Sequence, residues 1–236
     1  MNKSVAIVTG ASRGIGKATA LRLKQEGYVV VGFYRADVKA AKLLVDVGVE
    51  MYQVDVSNEG DVKQAIARVL DTNKRLDIVV NNAGINLLSS IEECSIEEWN
   101  SMMATDLGSV FLMSKYAIPH LKKSSEACII NISSRIGLNE YAEANFVPYG
   151  AMKAAVNNFT VGLARELAGS GIRVNAVIPT PTKTDLFDQV FTPEDEEVLK
   201  AKGKLGSPDD VAELVMKTIQ DTSLTGELVF DKRVFL

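Results

Sequence analysis

Short apolar runs rich in β-branched residues alternate along this chain with longer amphipathic stretches, and that alternation decides the fold class. The runs fall at 5–8, 29–33, 51–54, 78–80, 128–132, 173–178 and 227–230. Between them, stretches at 15–25, 38–47, 60–73, 96–124, 149–168 and 208–222 carry apolar residues at helical spacing. The strand runs lack strict alternation, so the sheet they form is buried on both faces, as parallel sheets are. Right-handed crossovers then give a doubly wound α/β sandwich of about seven parallel strands with helices on both faces. No repeat, low-complexity tract or linker interrupts the pattern. A chain of 236 residues suits one sizeable core and is short for two, so residues 1–236 are expected to form a single domain.

Composition removes several functions. A hydrophobic share of 47% with 24% charged residues is that of an ordinary globular protein. The net charge of -4 lacks the basic excess that nucleic-acid binding needs. No apolar run approaches the ~20 residues that span a bilayer. The first strand starts almost at once, without a charged-then-apolar leader, so a cytoplasmic protein is expected. Cys94 and Cys128 have no metal-site spacing, and Cys128 heads an apolar strand and belongs in the core. His120 is the only histidine, so a His-centred triad or a multi-His metal site is excluded and no metal is expected. The acidic run Glu194-Asp195-Glu196-Glu197 reads as a solvated helix start, where acids are favoured.

The first strand runs into Thr9-Gly10-Ala11-Ser12-Arg13-Gly14-Ile15-Gly16, and a helix follows. Strand, glycine-rich loop and helix N-terminus are the context of a dinucleotide-binding turn. Gly10 permits the tight turn, Gly14 lets the backbone approach a pyrophosphate, and Gly16 lets the helix lie close to the sheet. The helix N-terminus offers N–H groups and partial positive charge to phosphates. Further on, Tyr149 and Lys153 stand four residues apart in a helical stretch, so they share a face. A phenol is a poor acid or base near neutrality, because its pKa is about 10. A neighbouring ammonium favours the phenolate and makes the pair a usable general acid/base for a carbonyl or an alcohol.

The Thr-Gly-x-x-x-Gly-x-Gly turn and the Tyr-x-x-x-Lys pair together resemble the short-chain dehydrogenase/reductase family, and the resemblance covers nearly the whole chain. It implies a Rossmann-type fold and a nicotinamide cofactor held by Gly10, Ser12, Arg13, Gly14, Ile15 and Gly16. Asp55-Val56 matches the family's adenine contact, and Asn81-Asn82-Ala83-Gly84 its Asn-Asn-Ala-Gly motif, which adds Asn82, Ala83 and Gly84. Pro179 and Thr184 resemble the segment that closes over the nicotinamide. The end of the second strand reads Tyr34-Arg35, where users of NAD carry an acid for the ribose. Arginines at 13 and 35 without a carboxylate favour a 2′-phosphate, hence NADP(H), with NAD(H) possible if Asp37 reaches the ribose in a shifted register.

By the same resemblance Ser134 holds the substrate oxygen, with Ser133 as the second choice, and Tyr149 gives a proton to the developing alkoxide. Lys153 lowers the Tyr149 pKa and bonds the nicotinamide ribose. The family's fourth catalytic residue is an Asn; here Asp106 stands in its place, and a carboxylate there opposes ionisation of Tyr149. Other departures are Thr180 for the usual Gly after the sixth strand, Asp231-Lys232-Arg233 for Asp-Gly-Gly, and a longer loop at 139–148. The overall look is that of 3-oxoacyl-acyl-carrier-protein reductases. The implied reaction is hydride transfer between the nicotinamide and a carbonyl or secondary alcohol, with a 3-oxoacyl thioester as one substrate. A sugar or polyol dehydrogenase and a non-catalytic cofactor sensor are the alternatives. A homo-oligomer, tetramer or dimer, is expected.

Overall fold

β-branched side chains crowd a helix and pack well on a pleated surface, so the apolar runs become strands. The computed structural model describes residues 3–235. It places β1 at Val5–Thr9, β2 at Val29–Tyr34, β3 at Glu50–Gln53 and β4 at Ile78–Asn81. β5 is Cys128–Ile132, β6 Arg173–Ile178 and β7 Leu228–Phe230. All neighbours run parallel in one sheet, in the order β3-β2-β1-β4-β5-β6-β7. Strand order reverses between β1 and β4, which opens a crevice at their C-terminal ends.

The helices are α1 (Gly14–Gln25), α2 (Val38–Asp46), α3 (Glu59–Asn73), α4 (Ile96–Met102), α5 (Ser109–Leu121), α6 (Val147–Glu166), α7 (Asp185–Asp188), α8 (Pro193–Ala201) and α9 (Pro208–Gln220). Successive strand residues point to opposite faces and so build two cores. Ala6, Val8 and Ile130 pack with Leu23 of α1, Leu44 of α2 and Val215 of α9. Ile7, Val79 and Ile129 pack on the other face with Val62 of α3, Met113 of α5 and Leu163 of α6. Cys128 lies fully buried among the strands, and burial pushes its thiol up to about 11, which makes it a core residue and not a nucleophile.

The expected helix at 96–124 is not continuous. Between α4 and α5 the backbone widens into a π-helical stretch, Met103–Gly108, which carries Asp106 inward. Such wide turns cluster at functional sites because they re-aim one side chain without ending the helix. The acidic run does start a helix: Thr192 and Asp195 form a reciprocal capping box at the head of α8. Thr180 and Arg233, two departures from the family pattern, both tie the C-terminal part of the chain together. The Thr180 hydroxyl donates to the Lys204 carbonyl at 2.5 Å. Arg233 pairs with Asp231 at 2.6 Å and Asp210 at 3.0 Å.

Candidate active site

A cavity of about 350 Å³ opens at the crevice between β1 and β4. On its first side lie Gly10, Ser12, Arg13, Gly14 and Ile15. Gly10 and Gly14 have φ of +64° and +52°, which only glycine adopts at little cost. Gly16 lies behind them: a Cβ there would fall 2.3 Å from the Gly10 carbonyl oxygen. Thr9 and Asn82 lock the turn to β4. The Thr9 hydroxyl oxygen accepts the Asn82 and Ala83 N–H groups at 2.9 and 3.0 Å, and Asn82 Nδ2 donates back to the Thr9 carbonyl at 2.9 Å. Arg13 occupies the N-cap of α1 with an extended backbone and no side-chain bond to the first turn. The first-turn N–H groups of α1 are thus left to the cavity, a cradle for an anion.

Tyr34, Arg35, Asp55, Val56, Asn82, Ala83 and Gly84 continue the lining. The Asp55 carboxylate is taken up locally: its hydrogen bonds with Ser57, which more than offset burial, hold it below the usual carboxylate range. Asp37 also lines the cavity, and one of its oxygens caps α2 by accepting the Ala40 N–H at 2.9 Å. Arg35 is exposed at the rim, while Arg13 forms an exposed ion pair with Asp185 at 3.7 Å.

The opposite side is built by β5, α6 and the segment after β6. Ser134, Tyr149 and Lys153 all line the cavity, as do Pro179 and Thr184. Ser134 begins a short 3-10 turn and its hydroxyl oxygen accepts the Ile136 N–H at 3.3 Å. Ser133 is 3% exposed and its hydroxyl donates to the Lys153 carbonyl at 3.3 Å, which leaves Ser134 as the better placed of the two. Lys153 Nζ lies 5.4 Å from the Tyr149 ring centre. It also donates to the Ile132 carbonyl at 3.3 Å and stands 3.1 Å from Asp106 Oδ1.

That third contact changes the electrostatics. Burial opposes the Lys153 charge, but Asp106 and then Tyr149 outweigh it and hold the ammonium above its usual range. Burial pushes the Asp106 carboxyl up, against the pull of Lys153 and of the Ile85 N–H. Tyr149 was expected to titrate low beside a cation. Burial pushes its phenol up, Lys153 pulls it down, Asp106 pushes it up again, and the net direction is upward.

Three further wall residues carry no motif. Phe187 and Phe191 stack with ring centres 4.5 Å apart, and Phe146 extends the stack to Phe191 at 6.2 Å. All three line the cavity, and Phe146 lies one helical turn before Tyr149. The spacing Phe187-x-x-x-Phe191 was the available signal; only the fold reveals Phe146 as its partner.

A fold with its site at the switch point, a glycine cradle and a Ser–Tyr–Lys cluster defines a nicotinamide-type oxidoreductase architecture. The short chain dehydrogenase family model matches residues 4–195, and the chain belongs to that family, whose members act on C=O and CH–OH groups. The 3-oxoacyl-[acyl-carrier-protein] reductase of Synechocystis sp. is 37% identical over 90% of this chain and 87% of its own. The Thermotoga maritima protein of that description is 31% identical over 95% of this chain and 94% of its own. Among solved structures, the 3-ketoacyl-(acyl-carrier-protein) reductase from Brucella melitensis complexed with NADH superposes with a TM-score of 0.88. It is 30% identical, over 96% of each chain.

Proposed function

We propose that the protein is an NADP(H)-dependent reductase of a carbonyl group, with Ser134, Tyr149 and Lys153 as its catalytic residues. The observation that carries this reading is the meeting, in one cavity, of the uncapped α1 N-terminus and the Ser134–Tyr149–Lys153 cluster. The residues fit a dinucleotide: Gly10 and Gly14, both at positive φ, bring the turn's backbone to the cavity wall, and the free N–H groups of α1 suit a pyrophosphate. The group, when bound, supplies hydride to a carbonyl carbon or takes it from an alcohol. Ser134 holds the substrate oxygen. Tyr149 delivers the proton as charge builds there, and Lys153 stabilises the phenolate left behind. Asn82, Ala83, Gly84, Val56, Pro179 and Thr184 shape the remaining contacts.

Arg35, with Arg13 as its helper, recognises the 2′-phosphate, while Asp37 spends one oxygen on the head of α2. The aromatic stack at Phe146, Phe187 and Phe191 argues for an apolar acyl group beside the carbonyl rather than a polyol, which needs several polar partners. A 3-oxoacyl thioester meets that requirement, and it is the substrate class in the names of both relatives. A homo-oligomer in the cytoplasm belongs to the same reading. Among the described residues no helix is long and apolar enough to cross a membrane, and Met103 and Phe111 are exposed.

The test is cofactor oxidation at 340 nm with acetoacetyl thioesters, simple ketones and polyhydroxy ketones, using NADPH and NADH in parallel. Turnover of thioesters with NADPH is the expected result. Preference for polyhydroxy ketones would make it a sugar or polyol dehydrogenase. Cofactor binding without turnover on any carbonyl would make it a sensor.

A further inference from the structure

Asp106 and Lys153 are 1% and 4% exposed, and their charged atoms are 3.1 Å apart. The carboxylate is held in place from two more sides. Its Oδ2 accepts the Ile85 N–H at 3.1 Å, and its Oδ1 lies so close to Gly84 that a Cβ there would stand 2.7 Å away. The π-helical stretch Met103–Gly108 aims the side chain, so the pairing is a product of backbone shape and not of a chance rotamer. A carboxylate at contact distance offsets part of the pull an ammonium exerts on a nearby phenolate.

The charged groups facing Tyr149 are Lys153 from α6 and Asp106 from the π-helical stretch, with the Ser134 hydroxyl from the end of β5. The segment after β4 adds only the Ile85 N–H, spent on Asp106. Carbonyl reduction needs Tyr149 as the phenol, since it gives up a proton. Alcohol oxidation needs it as the phenolate, since it takes one. The two directions therefore respond oppositely to anything that stabilises the neutral phenol.

We propose that Asp106 is a positioning residue that offsets part of the Lys153 charge, keeps Tyr149 a proton donor further into the alkaline range, and so tunes this site for reduction. The proposal rests on the carbonyl-reductase reading above and adds a direction to it. Burial and Asp106 together act on Tyr149 in the sense required, against Lys153.

Asp106→Asn keeps the shape and removes the charge. In the parent and the variant, kcat/KM is measured against pH in both directions. In the variant, the pH at which oxidation reaches half its plateau is expected to fall by about 1, and oxidation at neutral pH to rise about tenfold. Reduction in the variant is expected to fade at a correspondingly lower pH. Phenolate absorbance at 295 nm, titrated without cofactor and corrected with Tyr149→Phe, gives the same comparison independently of turnover. Superimposable profiles and titrations, or a shift to higher pH, overturn the proposal. If neither protein turns over any carbonyl, the reductase reading fails, while the absorbance titration still decides what Asp106 does to Tyr149.

Discussion

The glycine turn and the segment that closes over the cavity face each other across the site, and they are held by opposite means. The turn is fixed from within: Thr9, Asn82 and Ala83 exchange part-buried hydrogen bonds of about 3 Å, and Gly16 lies against the Gly10 carbonyl. The closing segment has its backbone anchor at its base. There Lys183 donates its N–H to the Gly206 carbonyl at 3.0 Å, and the Gly206 N–H reaches Pro181 at 2.8 Å. Its outer part is held by side chains: Phe187 stacks on Phe191 in the cavity, and Lys183 pairs with Asp188 and Glu196. Exposed pairs of this kind hold a segment weakly, so local opening is expected there and not at the turn. On the proposed reading a cofactor would meet a preformed cradle, and the cover is expected to open more readily than the cradle.

Gly16→Ala is the substitution with the largest expected effect. Alanine is favoured over glycine in a helix by about 1 kcal/mol. Here the added carbon would stand 2.3 Å from the Gly10 oxygen and 2.5 Å from Asn82 Nδ2, so the lock between turn and β4 must shift. The net loss is expected to be about 2 kcal/mol of stability, with dinucleotide binding weakened at least about 100-fold. Thermal melting and fluorescence titration of NADPH check both. A variant that melts and binds like the parent would mean the turn yields as readily as the cover.

Arg35→Ala comes next. Removal of one charge-assisted contact is expected to raise the KM for NADPH about 10- to 100-fold and leave NADH unchanged. Equal effects on the two cofactors would break the assignment of Arg35 to the 2′-phosphate. Phe191→Ala should act on the other side of the cavity. Loss of the half-buried ring is expected to raise the KM for an apolar ketone about fivefold, with the KM for the dinucleotide unaffected.

The two sides also differ in how far they could be read without the fold. The glycine turn is local: three glycines between a strand and a helix say what the backbone must do, and the structure puts them there. The seven strands and their parallel direction were legible for the same reason, because short apolar runs alternating with helices permit few other arrangements. The cover was not. Phe146 joins Phe187 and Phe191 from a distant part of the chain, and no spacing announces that. The π-helical stretch was hidden too, since 96–124 carries an unbroken helical pattern and the widening at Asp106 answers a partner 47 positions away in the sequence (106 to 153). The upward direction of Tyr149 follows first from burial, with Asp106 adding to it against the pull of Lys153. A Tyr-x-x-x-Lys pair alone predicts the reverse.

Lys183→Ala sharpens the comparison with the smallest effect. The Lys183 ammonium bridges Asp188 at the end of α7 and Glu196 in α8, with all three side chains at least partly in water. Water and salt screen such contacts, so the protein should melt within a few degrees of the parent. The change should appear in opening instead. Amide hydrogen exchange across 185–201 is expected to quicken a few-fold, while exchange in β1 and the first turn of α1 stays as it was. Salt at about 0.5 M should bring the parent towards the variant in the cover alone, because the turn contains no exposed ion pair that holds its backbone. Equal quickening on both sides would show that the cradle and the cover open as one unit, and that the Arg13–Asp185 contact across the cavity mouth couples them.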